Sequence, residues 1–295
     1  MESNTIDLDS YLTLLGLDEF KSDRPEPNLT TLSKVVEKHA TKFLYHNIDL
    51  QIKYIRGQPI GKEDLDISYL QKKFVDKKRG GMCYENNFLI EAALVALGFK
   101  VQFVSGYPFP YLSEEEPSHI ALLVQIESDY YLVDTGCAFN GIRAPLKFNF
   151  ETTQETLVFG YEKYQIAVEP THYRVSAVID EKVVNFFYFM REGSSPKFSD
   201  REKVIAEYIN FMTSKQEFKG RGWALFIGGA TPDGRAGCSF NKKERTGYKF
   251  TQANYLPVKE RTEIKDFQDF QAVVKDTFGL EIPDELEKIC VRPEI

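Results

Sequence analysis

The pattern of apolar and polar positions predicts helices in the first third of the chain and strands in the middle third. Apolar residues recur near every 3.6 positions up to about residue 95. The clearest stretch, 32–43, would form one face of a helix that begins at Thr30 or Thr31. From 101 to about 200, short runs of β-branched and aromatic residues alternate with turn-forming residues, which is typical of a small antiparallel β-barrel.

The last third mixes both patterns. It begins with a helical stretch over 200–213 and ends with another over 267–278. Between them, two short strands flank Thr231–Gly234, whose Pro-Asp-Gly is a strong turn signal. The sequence therefore predicts a mixed α/β fold in three units: residues 1–95, 96–200 and 201–295.

A cysteine stands where one of the predicted helices begins. The segment Arg79–Cys83 reads Arg-Gly-Gly-Met-Cys, apolar residues then recur at helical spacing over 88–97, and Gly98 ends the run. Free backbone N–H groups and the positive end of the helix dipole favour a thiolate at such a position. Glycines let a substrate approach the sulfur closely. Cys83 is therefore a candidate nucleophile, although a cysteine at a helix start is often a packed core residue.

A histidine and an aspartate flank a predicted hairpin. His119 opens an apolar strand, the turn-like Glu127–Asp129 follows, and a second strand ends just before Asp134. The start of one hairpin strand lies across from the end of the next, so we expect His119 and Asp134 to be neighbours. A cysteine, a histidine and an aspartate in this order form a nucleophile, a base and an orienting carboxylate.

These motifs resemble those of the arylamine N-acetyltransferases. Arg79–Cys83 matches the Arg-Gly-Gly-x-Cys motif of that family. His119 matches its catalytic histidine before an apolar strand, and Val133–Gly136 matches its Val-Asp-x-Gly segment. The likeness is strong from about residue 30 to 150 and weaker afterwards.

The resemblance implies an N-terminal helical bundle, a central antiparallel β-barrel and a C-terminal α/β lid around a cysteine-protease-like catalytic core. It implies a ping-pong acetyl transfer through Cys83, His119 and Asp134, with acetyl-coenzyme A as co-substrate and no metal. The acceptors would be arylamines, arylhydrazines or arylhydroxylamines. Five further residues are expected to contact substrate: Tyr107, Thr135, Gly136, Cys137 and Phe139.

The chain also departs from the family pattern. Leu14–Gly16 stands where the family has Arg-Ile-Gly, and Leu44–Ile48 stands where it has Pro-Phe-Glu-Asn-Leu. Because an arginine and a glutamate are both absent, Arg79 would need another partner. Cys137 replaces an aromatic residue that contacts the acceptor in the family, so we expect an altered acceptor preference.

Three other functions remain open from the sequence. An amide synthase that closes a polyketide chain would use the same fold and the same three residues. A cysteine protease or a transglutaminase-like hydrolase shares the Cys-His-Asp order. A catalytically weak descendant would merely bind coenzyme A or a small ligand, and the missing arginine and glutamate keep this option open.

Composition narrows the class of protein. A net charge of −7 over 295 residues argues against sequence-independent nucleic-acid binding. The polar N-terminus is unlike a signal peptide, and no apolar run is long enough to span a membrane. The four cysteines form no C-x-x-C pair, which favours reduced thiols in a cytoplasmic protein. We expect a monomer or weak homodimer. No His, Cys, Asp or Glu set has metal-ligand spacing. We expect the two lysine pairs to face solvent: Lys72, Lys73, Lys77 and Lys78.

Overall fold

The computed structural model describes residues 5–109, 117–137, 141–159, 162–179, 182–213, 224–231, 234–253 and 260–288. Phe139, which the resemblance places at the substrate, and Cys290 lie outside these described residues.

The first part of the chain is helical, as the apolar periodicity predicts. Its α-helices are α1 Leu8–Leu15, α2 Glu19–Ser22, α3 Leu29–Lys42, α4 Ile48–Ile55, α5 Ile67–Leu70 and α6 Cys83–Ala96. The carboxamide oxygen of Asn28 accepts the backbone N–H of Thr31 at 3.0 Å, so Asn28 caps α3 rather than Thr30 or Thr31. A 3₁₀ turn over Lys62–Leu65 and a π-helical segment over Gln71–Asp76 complete this part.

The middle part is a ten-stranded antiparallel sheet. Its strands are β2 Lys100–Pro108, β3 His119–Ile126, β4 Asp129–Val133, β5 Leu146–Phe148, β6 Gln154–Val158, β7 Glu162–Val168, β8 His172–Ile179, β9 Lys182–Glu192, β10 Ser195–Pro196 and β11 Phe198–Ser199. The main path runs β5-β4-β3-β2-β9-β8-β7-β6. The end strands β5 and β6 contact each other, so the sheet nearly closes into a barrel.

The hairpin that carries the expected histidine and aspartate forms between β3 and β4. Ile126 already pairs with Asp129, so the loop is one residue shorter than the sequence pattern predicts. Glu127 has a φ of +53°, the left-handed conformation that tight hairpin turns require. The register places the end of β4 beside the beginning of β3.

The last part contains helices and a second antiparallel sheet. Its elements are α7 Arg201–Thr213, β12 Ala224–Thr231, β13 Gly234–Asn241, β14 Thr246–Ala253, β15 Glu260–Ile264, α8 Phe267–Phe278 and a 3₁₀ turn over Asp284–Glu287. Helix α8 packs on this sheet, whereas α7 packs against the first part and β2. The two-residue strand β1, Tyr45–His46, comes from the helical part and pairs with β12. This strand joins the first and last parts of the chain, and the division into three units stays a prediction. Within the described residues, no helix is long and apolar enough to cross a membrane.

Candidate active site

Cys83 is the first residue of α6, as the sequence predicts. Met82 precedes it as the N-cap in extended conformation, and the Glu85 carboxylate accepts the Met82 backbone N–H at 2.9 Å. This bond fixes the beginning of the helix. The Cys83 side chain is buried, and its Sγ lies 3.9 Å from the carbonyl oxygen of Ser118. The thiol therefore faces the residue that precedes His119.

His119 and Asp134 form a buried ion pair. The ring Nε2 lies 2.7 Å from Asp134 Oδ2. Burial lowers the pKa of His119, but the charge of Asp134 and the hydrogen bond to it, with smaller contributions from Cys137 and Cys83, together outweigh burial and hold that pKa well above its ordinary value. Burial likewise raises the pKa of Asp134, but the charge of His119 and the hydrogen bonds from His119, Asn87 and Gly136 together outweigh burial, so this pKa is lowered. The thiols of both Cys83 and Cys137 lie near the same imidazole and help to raise its pKa.

Asn87 connects the helix of Cys83 to the aspartate. Its amide nitrogen donates to Asp134 Oδ1 at 3.0 Å and to the Ile120 carbonyl at 2.7 Å. Its amide oxygen accepts the backbone N–H of Thr135 at 3.1 Å. The backbone N–H of Gly136 adds a second donor to Asp134 Oδ1 at 2.9 Å. Because Asn87 lies one helical turn after Cys83, it fixes the carboxylate relative to the thiol.

Asn86 supports the loop before Cys83 from the opposite side. Its amide nitrogen donates to the carbonyl oxygens of Gly81 at 2.9 Å and Met82 at 3.1 Å. His39 is buried beside Asn86 and bonds to the hydroxyl of Tyr11 through Nδ1 at 2.8 Å. Burial lowers the pKa of His39 to about 3, so the ring is neutral. His39 is therefore a core residue rather than part of the catalytic centre.

A buried ion network lies behind the helix start. Lys73 Nζ lies 2.6 Å from Glu85 and 3.1 Å from Asp49. Arg79 donates two hydrogen bonds to Asp49, at 2.5 and 3.2 Å. Asp49 is therefore the alternative partner that Arg79 needs. The expected solvent exposure of Lys73 is wrong, since only 7% of its side chain is exposed.

His46 stands where the family has its glutamate. It is buried, and its Nδ1 accepts the backbone N–H of Ile48 at 3.3 Å. Burial lowers its pKa to about 3. A neutral ring thus occupies this position, while Asp49 on the next turn provides the negative charge.

Two glycines allow the close packing of the site. A Cβ at Gly136 would lie 2.6 Å from the Cα and 2.9 Å from the Cβ of Cys83. A Cβ at Gly106 would lie 3.1 Å from Cδ2 of the His119 ring. The Phe187 ring packs on the same imidazole, with centroids 4.7 Å apart. The sequence pattern gave no reason to select Gly106 or Phe187, because the pairing of β2 with β3 brings Gly106 here and the pairing of β2 with β9 brings Phe187.

The other expected substrate contacts lie at different distances from this centre. Thr135 and Gly136 follow Asp134 directly, and Cys137 is partly exposed beside the His119–Asp134 pair. Tyr107 stacks on Tyr188, with centroids 5.0 Å apart. Its neighbour in β2, Gly106, faces His119, so strand alternation directs Tyr107 to the opposite face. The role of each in substrate binding stays a prediction.

Comparison with known proteins decides the family. A family model for N-acetyltransferases matches residues 28–286. The chain belongs to this N-acetyltransferase family. Among curated members, the arylamine N-acetyltransferase of Mycolicibacterium smegmatis is 34% identical over 157 residues, 51% of this chain and 54% of that protein. The chain thus matches about half the length of this relative. The Escherichia coli (strain K12) arylamine N-acetyltransferase is 24% identical over 261 residues, 87% of this chain and 84% of that protein.

Solved structures of N-acetyltransferases share the fold. The M. smegmatis arylamine N-acetyltransferase superposes with a TM-score of 0.76 at 23% identity, covering 97% of this chain and 98% of that chain. The Mycobacterium marinum enzyme in complex with CoA gives 0.75 at 22% identity, covering 97% and 100%. The predicted mixed α/β fold with an antiparallel barrel is confirmed, and so is the resemblance to arylamine N-acetyltransferases.

Proposed function

We propose that this chain transfers the acetyl group of acetyl-coenzyme A to an arylamine, arylhydrazine or arylhydroxylamine through an acetyl-cysteine on Cys83. The observation that carries the proposal is the pair of His119 and Asp134. With Nε2 held by the carboxylate at 2.7 Å, the other ring nitrogen is left for the thiol at the beginning of α6. This arrangement provides a nucleophile, a base and an orienting carboxylate.

In the first half-reaction, His119 holds the proton of the Cys83 thiol as an imidazolium paired with Asp134, and the thiolate attacks the thioester carbonyl. The new carbon–sulfur bond forms, and coenzyme A leaves with the proton that His119 returns. In the second half-reaction, the amine attacks the acetyl-cysteine and the carbon–sulfur bond breaks, so that Cys83 leaves as the thiolate. His119 takes the proton that the amine loses, which restores the starting state of the pair. Asp134 orients the imidazole and stabilises its cation throughout. The free N–H groups at the beginning of α6 are candidates to stabilise the oxyanion.

The relatives support this choice of substrates. The M. smegmatis and E. coli relatives are named arylamine N-acetyltransferases. A Salmonella typhimurium relative, 24% identical over 251 residues, is also named an N-hydroxyarylamine O-acetyltransferase. The M. marinum neighbour was solved with CoA bound. We further propose that the protein is cytoplasmic, with which the free thiols of Cys83, Cys137 and Cys238 are consistent, and that it is a monomer or weak homodimer.

Intact-protein mass spectrometry tests the acetyl-enzyme. After mixing with acetyl-coenzyme A, the protein should gain one acetyl group that peptide mapping places on Cys83, and a simple arylamine should remove it. Cys83→Ala should gain none. A protein that stays unmodified by acetyl-coenzyme A but accepts a long-chain acyl thioester would instead support the amide synthase. Acetylation that persists in Cys83→Ala would refute the assignment of the nucleophile.

We also propose that Cys137 borders the acceptor site and weakens binding of simple arylamines. An aromatic ring at this position would add a stacking contact of about 0.5–1.5 kcal/mol beyond its burial. Cys137→Phe should therefore raise kcat/KM for arylamines about 2- to 12-fold and leave the rate of enzyme acetylation unchanged. An unchanged acceptor profile would place Cys137 away from the acceptor.

A further inference from the structure

A second thiol lies against the imidazole–carboxylate pair, and acetyl transfer through Cys83 does not require it. One ligand atom each of His119, Asp134 and Cys137 lies within 4.8 Å of the other two. His119 is distant from Asp134 and Cys137 in the sequence, so the spacing of the residues does not reveal the group. The β3–β4 hairpin brings His119 beside the other two residues. The three side chains provide a nitrogen, an oxygen and a sulfur donor in one place.

The three donors suit a tetrahedral metal ion. Zinc takes cysteine sulfur at about 2.3 Å and histidine nitrogen or carboxylate oxygen at about 2.0–2.2 Å, so its ligand atoms lie about 3.5 Å apart. The Nε2–Oδ2 distance of 2.7 Å between His119 and Asp134 would have to open by less than about 1 Å to reach this geometry. The donors therefore need only a small rearrangement.

The surroundings of the three donors favour a metal at Nε2 of His119 over a metal at Nδ1. The sulfur of Cys137 lies within 4.8 Å of a ring nitrogen of His119 and of a carboxylate oxygen of Asp134. Because that carboxylate is bonded to Nε2, a metal held by all three donors would bind this nitrogen. The thiol of Cys83 also contacts His119, and Asp134 already occupies Nε2, which leaves Nδ1 for Cys83. A metal on Nε2 is thus separated from Cys83 by the width of the imidazole. Cys137 is partly exposed, which gives an ion a way in.

We propose that Cys137, His119 and Asp134 form an inhibitory site for Zn²⁺ or a similar soft divalent cation, with water as the fourth ligand. The metal displaces the thiol proton of Cys137 and the proton between His119 and Asp134. The metal-bound ring keeps its remaining proton on Nδ1, so it no longer accepts the proton of the Cys83 thiol. Metal binding stops acetyl transfer and leaves the sulfur of Cys83 free.

Cobalt spectroscopy tests the site without an assay of activity. Co²⁺ added to the wild-type protein should give a sulfur-to-cobalt charge-transfer band that saturates at one equivalent. Cys137→Ala and Cys137→Ser should lose the band and weaken Zn²⁺ binding by more than about 100-fold, since loss of even an outer-shell partner costs about 10- to 100-fold. Cys83→Ala should keep the band, and so should Cys238→Ala, the control at a buried cysteine of the second sheet.

Inhibition and alkylation complete the test. Zn²⁺ should stop acetyl transfer by the wild type, while iodoacetamide at alkaline pH, where the thiol ionises without its base, still labels Cys83 in the zinc-bound protein. A band that survives in both Cys137 variants and disappears in Cys83→Ala would refute the proposal, because the metal would then sit on the nucleophile. The inhibition measurement rests on the proposed function, whereas the cobalt band does not, so the two proposals can fail separately.

Discussion

Substitution of Lys73 tests whether the buried ion network behind the beginning of α6 stabilises the protein. The ammonium group of Lys73 neutralises Glu85 at 2.6 Å and Asp49 at 3.1 Å, with 7% of the lysine side chain and 11% of that of Glu85 exposed. Lys73→Met removes this cation and leaves both carboxylates. Asp49 keeps Arg79, but Glu85 has no other cation among its described contacts. Breaking a buried pair on one side costs about 3–5 kcal/mol, a large share of a total stability of about 5–15 kcal/mol.

Urea unfolding measures this cost, and the adjacent lysine provides a matched control. Lys72 is exposed and carries the same side chain, so Lys72→Met should change the free energy of unfolding by less than about 0.5 kcal/mol. In the double variant Lys73→Met/Glu85→Gln, the stranded charge is gone. We expect it to recover about 2 kcal/mol of the loss in Lys73→Met, within the range of coupling energies for residues in contact.

The reactivity of the Cys83 thiol should depend on the same network of Lys73 and Glu85. Glu85 bonds to the backbone N–H of Met82, directly before Cys83, so an unbalanced carboxylate there opposes the thiolate. In Lys73→Met, alkylation of Cys83 by iodoacetamide should shift to higher pH, and the double variant should shift back. A loss of less than 1 kcal/mol in Lys73→Met, or a double variant no better than the single one, would refute a charge-neutralising role for Lys73.

Other predictions concern neighbouring contacts. Gly136→Ala should abolish acetylation of Cys83, because the added Cβ would lie 2.6 Å from its Cα; acetylation at the wild-type rate would show that this contact relaxes easily. Asn87→Ala should lower kcat/KM about 10- to 150-fold, since a hydrogen bond to a charged group contributes about 1.5–3 kcal/mol. Asn87→Asp should lower it further through repulsion from Asp134, and an equal loss in both variants would contradict this. Burial holds the pKa of His46 near 3, so the unfolded state binds more protons at mildly acid pH. Lowering the pH from 7 to 5 should therefore cost about 2 kcal/mol of stability through this ring, and His46→Gln should remove that part of the pH dependence of urea unfolding.

Local patterns predicted the parts of the site that lie on single elements. The glycines, Cys83 and the apolar periodicity after it placed the beginning of α6 correctly. The alternation around Glu127–Asp129 predicted the hairpin, and its register made His119 and Asp134 neighbours. These features depend on backbone propensity and short-range strand pairing, and both can be predicted from the local sequence.

The sequence pattern did not predict contacts between residues that are far apart in the chain. Strand β14 has mostly half-buried side chains and no clear apolar alternation, so the sequence did not predict it. Gly106 reaches His119 only through the pairing of β2 with β3. Lys73 sits in a run of charged residues that looks solvated, yet the π-helical segment that carries it turns this one side chain inward. The pattern of charge alone does not tell which lysine of a pair is buried.

The network around Arg79 shows why the chain can lack two family residues and keep its site. Arg79 and Glu85 are present, and each needs an opposite charge in a place from which water is largely excluded. Asp49 on α4 pairs with Arg79, and Lys73 pairs with Glu85 while also contacting Asp49. What the helix start requires is a balanced set of charges at short range, and different elements can provide them. The absent arginine and glutamate are therefore weak evidence for an inactive descendant, because the groups that position Cys83 still have partners.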